Sequence, residues 1–120
     1  MDAEQAIQAF WSSFGLSAYD ENSVKDGASL PYITYSLSYD SFDNNVTMAA
    51  SIWYRSSSWA APTHKAQQVV ETIKDGGVIL KTDRGGLWIK PGNPIYQRIN
   101  NDDTSIKRIY INITAEYIEP

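Results

Sequence analysis

The clearest pattern in the chain is a helical stripe. Ala66, Val69, Val70 and Ile73 recur at i, i+3, i+4 and i+7, with Lys65, Gln68, Glu71 and Lys74 on the opposite side. This predicts a helix over residues 65–74, reached through Ser56 to Pro62 and ended by Asp75-Gly76-Gly77. A second stripe runs through Ala3, Ala6, Ile7, Phe10 and Phe14. It predicts a helix over residues 3–14, with Asp2 and Gln5 spaced as a capping box and Gly15 as its stop. Elsewhere the period is two. Ile33, Tyr35, Leu37 and Tyr39 alternate with Thr34, Ser36 and Ser38. Val46, Met48, Ala50, Ile52 and Tyr54 alternate with Thr47, Ser51 and Trp53. Ile109, Ile111, Ile113, Ala115 and Tyr117 alternate with Arg108, Asn112, Thr114 and Glu116. Each run reads as a half-buried strand.

Shorter apolar runs at residues 78–82, 87–90 and 95–99 complete the set. They are parted by Asp83-Arg84-Gly85-Gly86 and by Pro91-Gly92-Asn93-Pro94, whose prolines lack a ladder donor. Asn100 to Asp103 forms the last turn, and residues 15–29 read as an irregular connection. The expected order is α-β-β-α-β-β-β-β. That is an α+β fold, with two helices on one face of a mostly antiparallel sheet, in one domain over residues 1–120. The other sheet face, with Trp53, Tyr110 and Ile118, is semi-polar and is expected to meet solvent or another subunit.

Composition narrows the function more than the fold. The chain has 120 residues, a net charge of -4, four Trp, eight Tyr, one His and no Cys. Its aromatic content suits a packed core rather than a disordered chain. The acidic balance weighs against a general nucleic-acid binder. The lack of Cys excludes disulfides, thiolate zinc sites and thiol catalysis. No apolar run approaches the roughly 20 residues that span a bilayer, and residues 1–14 lack the basic start of a signal peptide. The expectation is a soluble chain kept in a cytoplasm, where the sequons at Asn45 and Asn112 carry no glycan.

The candidate chemistry is thin. His64 alone makes no zinc site. Asp40 with Asp43, and Asp102 with Asp103, fall in turns and lack the calcium-loop pattern. The paired glycines lack phosphate-loop spacing, and Ser12, Ser13 and Ser56 to Ser58 have no base to activate them. The expectation is no catalytic, metal or cofactor site, and no enzyme. Lys81, Arg84, Lys90, Arg98, Lys107 and Arg108 concentrate basic charge in the C-terminal half. Trp11 reads as core. Trp53, Trp59 and Trp88 read as interface anchors or, alternatively, as sugar-stacking platforms.

Several segments together suggest a family. Leu30-Pro31-Tyr32-Ile33-Thr34-Tyr35 opens the first strand, Ser51-Ile52-Trp53-Tyr54-Arg55 ends the second, and the helix over 65–74 follows. Then come Leu87-Trp88-Ile89-Lys90-Pro91-Gly92-Asn93-Pro94-Ile95-Tyr96-Gln97-Arg98 and Ile106-Lys107-Arg108-Ile109-Tyr110-Ile111-Asn112. In this order they resemble the tail terminator (tail completion) proteins of long-tailed bacteriophages, over nearly the whole chain. The resemblance implies a non-enzymatic virion protein of the tail-neck region, assembled in the bacterial cytoplasm. It implies a homo-oligomeric ring, a hexamer, on the last ring of tail-tube subunits. That ring stops tube growth, receives the head-side neck or stopper protein, and lets DNA pass through its lumen. A different neck component, a glycan-binding module and a small enzyme with a scattered site are the rival readings.

The expected subunit or partner interface runs from Lys90 to Asp103 with Trp88 beside it. Its members are Trp88, Lys90, Pro91, Ile95, Tyr96, Arg98, Asp102 and Asp103. The prolines and Gly92 are expected to take this segment out of the sheet as a loop or arm, with Ile95 and Tyr96 covered by a neighbour. The alternative is that these two residues fold back on the parent core.

Overall fold

Helix α1 spans Ala3–Ser12 and helix α2 spans Ala60–Ile73 in a computed structural model that describes residues 1–39 and 45–118. The turn containing Asp40 and Asp43 lies outside the described residues. At the start of α1 the Asp2 carboxylate accepts from the Gln5 N–H at 2.8 Å, and the Asp2 N–H donates to Gln5 Oε1 at 3.0 Å. This is the reciprocal cap that the spacing predicts. The helix stops two residues before Phe14. The Ser13 N–H bonds the Phe10 carbonyl, one residue short of the α-helical partner, and the Ser13 hydroxyl donates to the same oxygen. Helix α2 starts earlier than its apolar stripe, because Pro62 sits in the first turn, where its missing N–H has no helical partner to lose. Beyond it Asp75, Gly76 and Gly77 take φ values of 60°, 103° and 83° and reverse the chain.

Six strands form one sheet: β1 (Ser17–Asp20), β2 (Tyr32–Tyr39), β3 (Asn45–Arg55), β4 (Val78–Thr82), β5 (Gly85–Ile99) and β6 (Ile106–Ile118). They lie in the order β1-β2-β3-β6-β5-β4. Only β1 and β2 pair in parallel; every other neighbouring pair is antiparallel. The α+β class and the mostly antiparallel sheet agree with the sequence pattern.

The element order differs: it is α-β-β-β-α-β-β-β. Strand β1 lies inside the connection that the sequence leaves irregular. The two runs parted by Pro91 to Pro94 are one strand, β5. Its first part, Gly85 to Ile89, is paired on one side with β4, but β4 ends there, so the rest of β5 is a sheet edge. Proline is tolerated where no ladder donor is required. The register slips between Pro91, opposite Ile113, and Tyr96, opposite Ile111. The residues between them bulge out over Asn112. A side chain at Gly92 would meet the Asn112 carbonyl oxygen at 2.8 Å, and Asn112 Nδ2 donates to the Pro94 carbonyl at 2.7 Å.

One sheet face carries the core. Ile33, Ile52, Leu87, Ile89, Ile109 and Ile111 are fully buried under Ile7, Trp11, Ala66, Val69 and Ile73 of the helices. Helix α2 packs over β3, β5 and β6 in the middle of the sheet. Helix α1 instead touches β1 and β4, which stand at opposite ends of the strand order. The sheet therefore curls, and α1 occupies the seam between its two edges. At one side Gln8 Nε2 donates to the Ala18 carbonyl at 2.9 Å, and the Tyr35 hydroxyl donates to Gln8 Oε1. At the other side the Asp83 N–H donates to the Met1 carbonyl at 2.9 Å.

Candidate functional site

The residues expected at the interface fall in three places. Trp88 and Lys90 are two apart on β5, so both lie on the open face of the sheet, the face without helices. Pro91, Tyr96 and Arg98 pair with Ile113, Ile111 and Ile109, and so share the helix-covered side of β5. Asp102 and Asp103 are exposed in the turn between β5 and β6. The segment is thus an edge strand with a bulge rather than a departing arm. Ile95 and Tyr96 turn back, half-buried, onto the parent core, the arrangement that the sequence leaves as the alternative. The reason is the free edge of β5, which lets two prolines stay within a strand.

A pattern common to three tryptophans is visible only in the fold. Trp11 is wholly buried in the core. Each of the others carries a cation over its ring. Lys90 Nζ lies 4.5 Å from the Trp88 centroid and 3.1 Å from a Glu116 carboxylate oxygen. The Arg98 guanidinium lies 5.0 Å from Trp59, and Lys107 Nζ lies 5.7 Å from the same ring. The Arg108 guanidinium lies 4.7 Å from Trp53 and 5.9 Å from Tyr110. A cation on the face of an indole is attracted by the ring quadrupole and is partly shielded from water. It also occupies the surface on which a sugar would stack.

The Trp53 cluster is the most built of the three. Trp53 and Arg108 face each other directly across the β3–β6 ladder. Arg108 Nε donates to Ser51 Oγ at 3.0 Å, and Trp53 Nε1 donates to Thr34 Oγ1 at 2.9 Å. Ser51 and Thr34 are buried although they belong to the open face, because the large side chains lie flat over them. Beside them Ser36, Ala49, Arg108, Tyr110 and Glu21 line a depression that also includes Thr34 and Ser51. No single stretch of sequence signals this site. Only the β3–β6 register brings residue 53 to residue 108.

The β5–β6 turn is ordered by its own side chains. Asp103 accepts from the Ser105 hydroxyl at 2.6 Å and from its N–H at 2.9 Å, and lies 3.9 Å from Arg55. The Ser105 hydroxyl first, then its N–H, and then the nearby Arg55 and Lys107 charges hold the Asp103 carboxyl below the usual carboxylate range. Asn101 Nδ2 donates to the Ile106 carbonyl at 3.3 Å. At the opposite corner of the open face, Ile79 and Ile118 are 59% and 38% exposed on either side of Gly86.

His64 is exposed on α2. Ser13, Ser56 and Ser58 engage their hydroxyls in local backbone bonds. Among the described residues no group of three or more His, Cys, Asp or Glu converges as metal ligands would.

No protein-family model matches the chain, and no curated protein matches it significantly. Among solved structures it is similar to a chain in the virion of a native gene transfer agent (GTA) particle. The TM-score is 0.58 at 19% identity, over 94% of this chain and 89% of the other. At that identity the likeness is one of fold, and it extends over nearly the full length of both chains.

Proposed function

We propose that the chain is a structural, non-enzymatic protein of a phage-type virion, and that it forms the ring that ends the tail tube at its head-proximal side. The observation that carries the reading is the near full-length likeness to a chain of a gene transfer agent virion. The finer role rests on the order of segments that resembles the tail terminators. The ring, taken as a hexamer, would sit on the last tail-tube subunits, halt their polymerisation and present its far side to a neck or stopper protein, with DNA crossing its lumen.

Such a role needs surfaces rather than a catalytic group, and the open face with the adjoining β5–β6 turn supplies them. Trp88 and Lys90 contribute from the face, Asp102 and Asp103 from the turn. Pro91, Ile95, Tyr96 and Arg98 act from the parent side by holding the bulged edge of β5 in place.

Disrupting the coding gene in the phage or prophage that carries it tests the reading. Electron microscopy of the lysate is expected to show tails of uncontrolled, excess length and heads without tails. Tails of normal length that fail to join heads would assign the chain to another neck component instead. Complete particles that lack the protein by mass spectrometry would remove it from the virion.

A further inference from the structure

We infer that the Arg108 depression on the open sheet face is a carboxylate-binding site, and that its ligand is Asp102 of a second copy of this chain. The inference rests on the ring reading above and names the contact that would build the ring.

The site side is pre-organised. Arg108 is half-buried, stacked between Trp53 and Tyr110, and tied through Nε to Ser51. It makes no ion pair with any carboxylate among the described residues. Glu21 lines the same depression but is not within ion-pair distance of Arg108. A planar guanidinium removed from part of its water, with aromatic rings beside it and Nε engaged by Ser51, is matched best by a carboxylate, which can accept from its two terminal nitrogens. Lys90 on the same face is already paired with Glu116, whereas half-buried Arg108 has no carboxylate partner among the described residues.

The ligand side is also on this chain. Asp102 is exposed at the tip of the hairpin formed by the two longest strands, in a molecule 47 Å along its main axis. Unlike Asp103, it has no ion pair or hydrogen bond among the described residues. The bonds of Asp103 and Asn101 fix the turn, and Asp102 forms no ion pair with Arg108 of its own chain. Ile99, opposite Arg108, is the last ladder residue before the turn, so tip and pocket lie toward the same end of one hairpin, and the unpaired carboxylate of one copy is placed to complete the guanidinium of the next. Heterologous contacts of that kind close into rings when the rotation permits. Backbone pairing is the poorer route. Helix α1 fills the seam at β1 and β4, and prolines with a bulge blunt the free edge of β5.

The chain has no cysteine, so introduced thiols are the only ones that can cross-link. Ser36→Cys places one in the depression, and Thr104→Cys places one in the turn while leaving Asp102 and Asp103 intact. When the two purified single variants are mixed and mildly oxidised, the mixed disulfide is expected to exceed either self-pair about tenfold. Adding Arg108→Gln to the first, or Asp102→Asn to the second, is expected to lower it about tenfold or more. The exchange of Arg108→Asp with Asp102→Arg is expected to restore it. Each variant is checked by circular dichroism for an unchanged fold. A chain carrying both thiols should give a ladder of linked species. A mixed disulfide no more abundant than the self-pairs, or one indifferent to Arg108→Gln, overturns the inference. So does a ladder that stops at a doubly linked dimer, which would make the contact isologous. Presence of the chain in purified virions is scored separately. Its absence removes the ring reading, whereas a failed cross-link with the chain present removes only this contact.

Discussion

The two faces of the sheet are made by alternate residues of the same strands, yet they are built on different principles. On the helix side, Ile33, Ile52, Ile109 and Ile111 meet Ile7, Trp11, Val69 and Ile73, and apolar area is hidden by other apolar area. On the open side, small polar residues such as Ser51 and Thr34 form the floor. Trp53, Arg108, Tyr110, Trp88 and Lys90 lie over the strands as lids. Their apolar stems and rings cover the sheet while their charges stay at the surface. One face is completed by the chain's own helices. The other is covered only in part by these side chains and keeps oriented charges at its surface. Stability resides in the first, and recognition is proposed for the second.

Substitutions can test that division. The largest effect is expected from Trp11→Ala, which empties a wholly buried site between α1 and the sheet. Loss of about 3–5 kcal/mol of unfolding free energy should appear in urea titration. Next comes the double change Ile95→Asp with Tyr96→Asp. Because both side chains pack on the core, the variant is expected to lose its cooperative thermal transition, whereas residues reserved for a partner would leave the monomer folded by circular dichroism. Arg108→Gln should alter monomer stability by no more than about 1 kcal/mol, the scale of a cation–π contact at a partly exposed site. A much larger loss would show that the open face is part of the structural core.

The smallest effects are those of pH. Burial foremost, and then the charges of Asp20 and Glu4, raise the Tyr35 hydroxyl above its ordinary value. The native state therefore holds that proton more tightly than the unfolded chain. Its contribution is intact below the usual tyrosine range and is lost as pH rises through the raised value. Tyr35→Phe should flatten the alkaline fall in the thermal midpoint. Asp103 has the opposite sign: its carboxyl is lowered, so its contribution is present above the usual carboxylate range and fades as pH falls through the lowered value. Asp103→Asn should remove a small acid-side decline.

Long apolar periods made most of the fold legible in the sequence. The stripes of α1 and α2 and the alternations of β2, β3 and β6 each repeat often enough to define a face. Strand β1 has only Ser17 to Asp20, too few positions for a period to emerge, and it exists because β2 offers a parallel edge. The continuity of β5 was hidden for a different reason. Whether Pro91 and Pro94 break a strand depends on whether β4 reaches them, and that is a property of another segment. The candidate site divides in the same way. Trp88 and Lys90 are close in sequence and share a face by parity. Trp53 and Arg108 meet only through the register of two strands far apart in the chain.

The position of α1 has a consequence for how the protein is made. The helix is synthesised before the strands, but the seam that it fills is incomplete until β6 is in place. Strand β4 is held to the sheet only through β5, and β5 only through β6, which ends at Ile118. Until then the Met1 carbonyl has no Asp83 N–H held in place to accept from. A nascent chain therefore carries a helix docked only on its β1 and β2 side, and sheet edges with no cover. Contacts between the two ends of a chain slow folding and prolong exposure of unpaired strands. The period of greatest aggregation risk is the interval before β6 has emerged from the ribosome. A fragment that stops short of β6 is expected to be the most fibre-prone form of this protein.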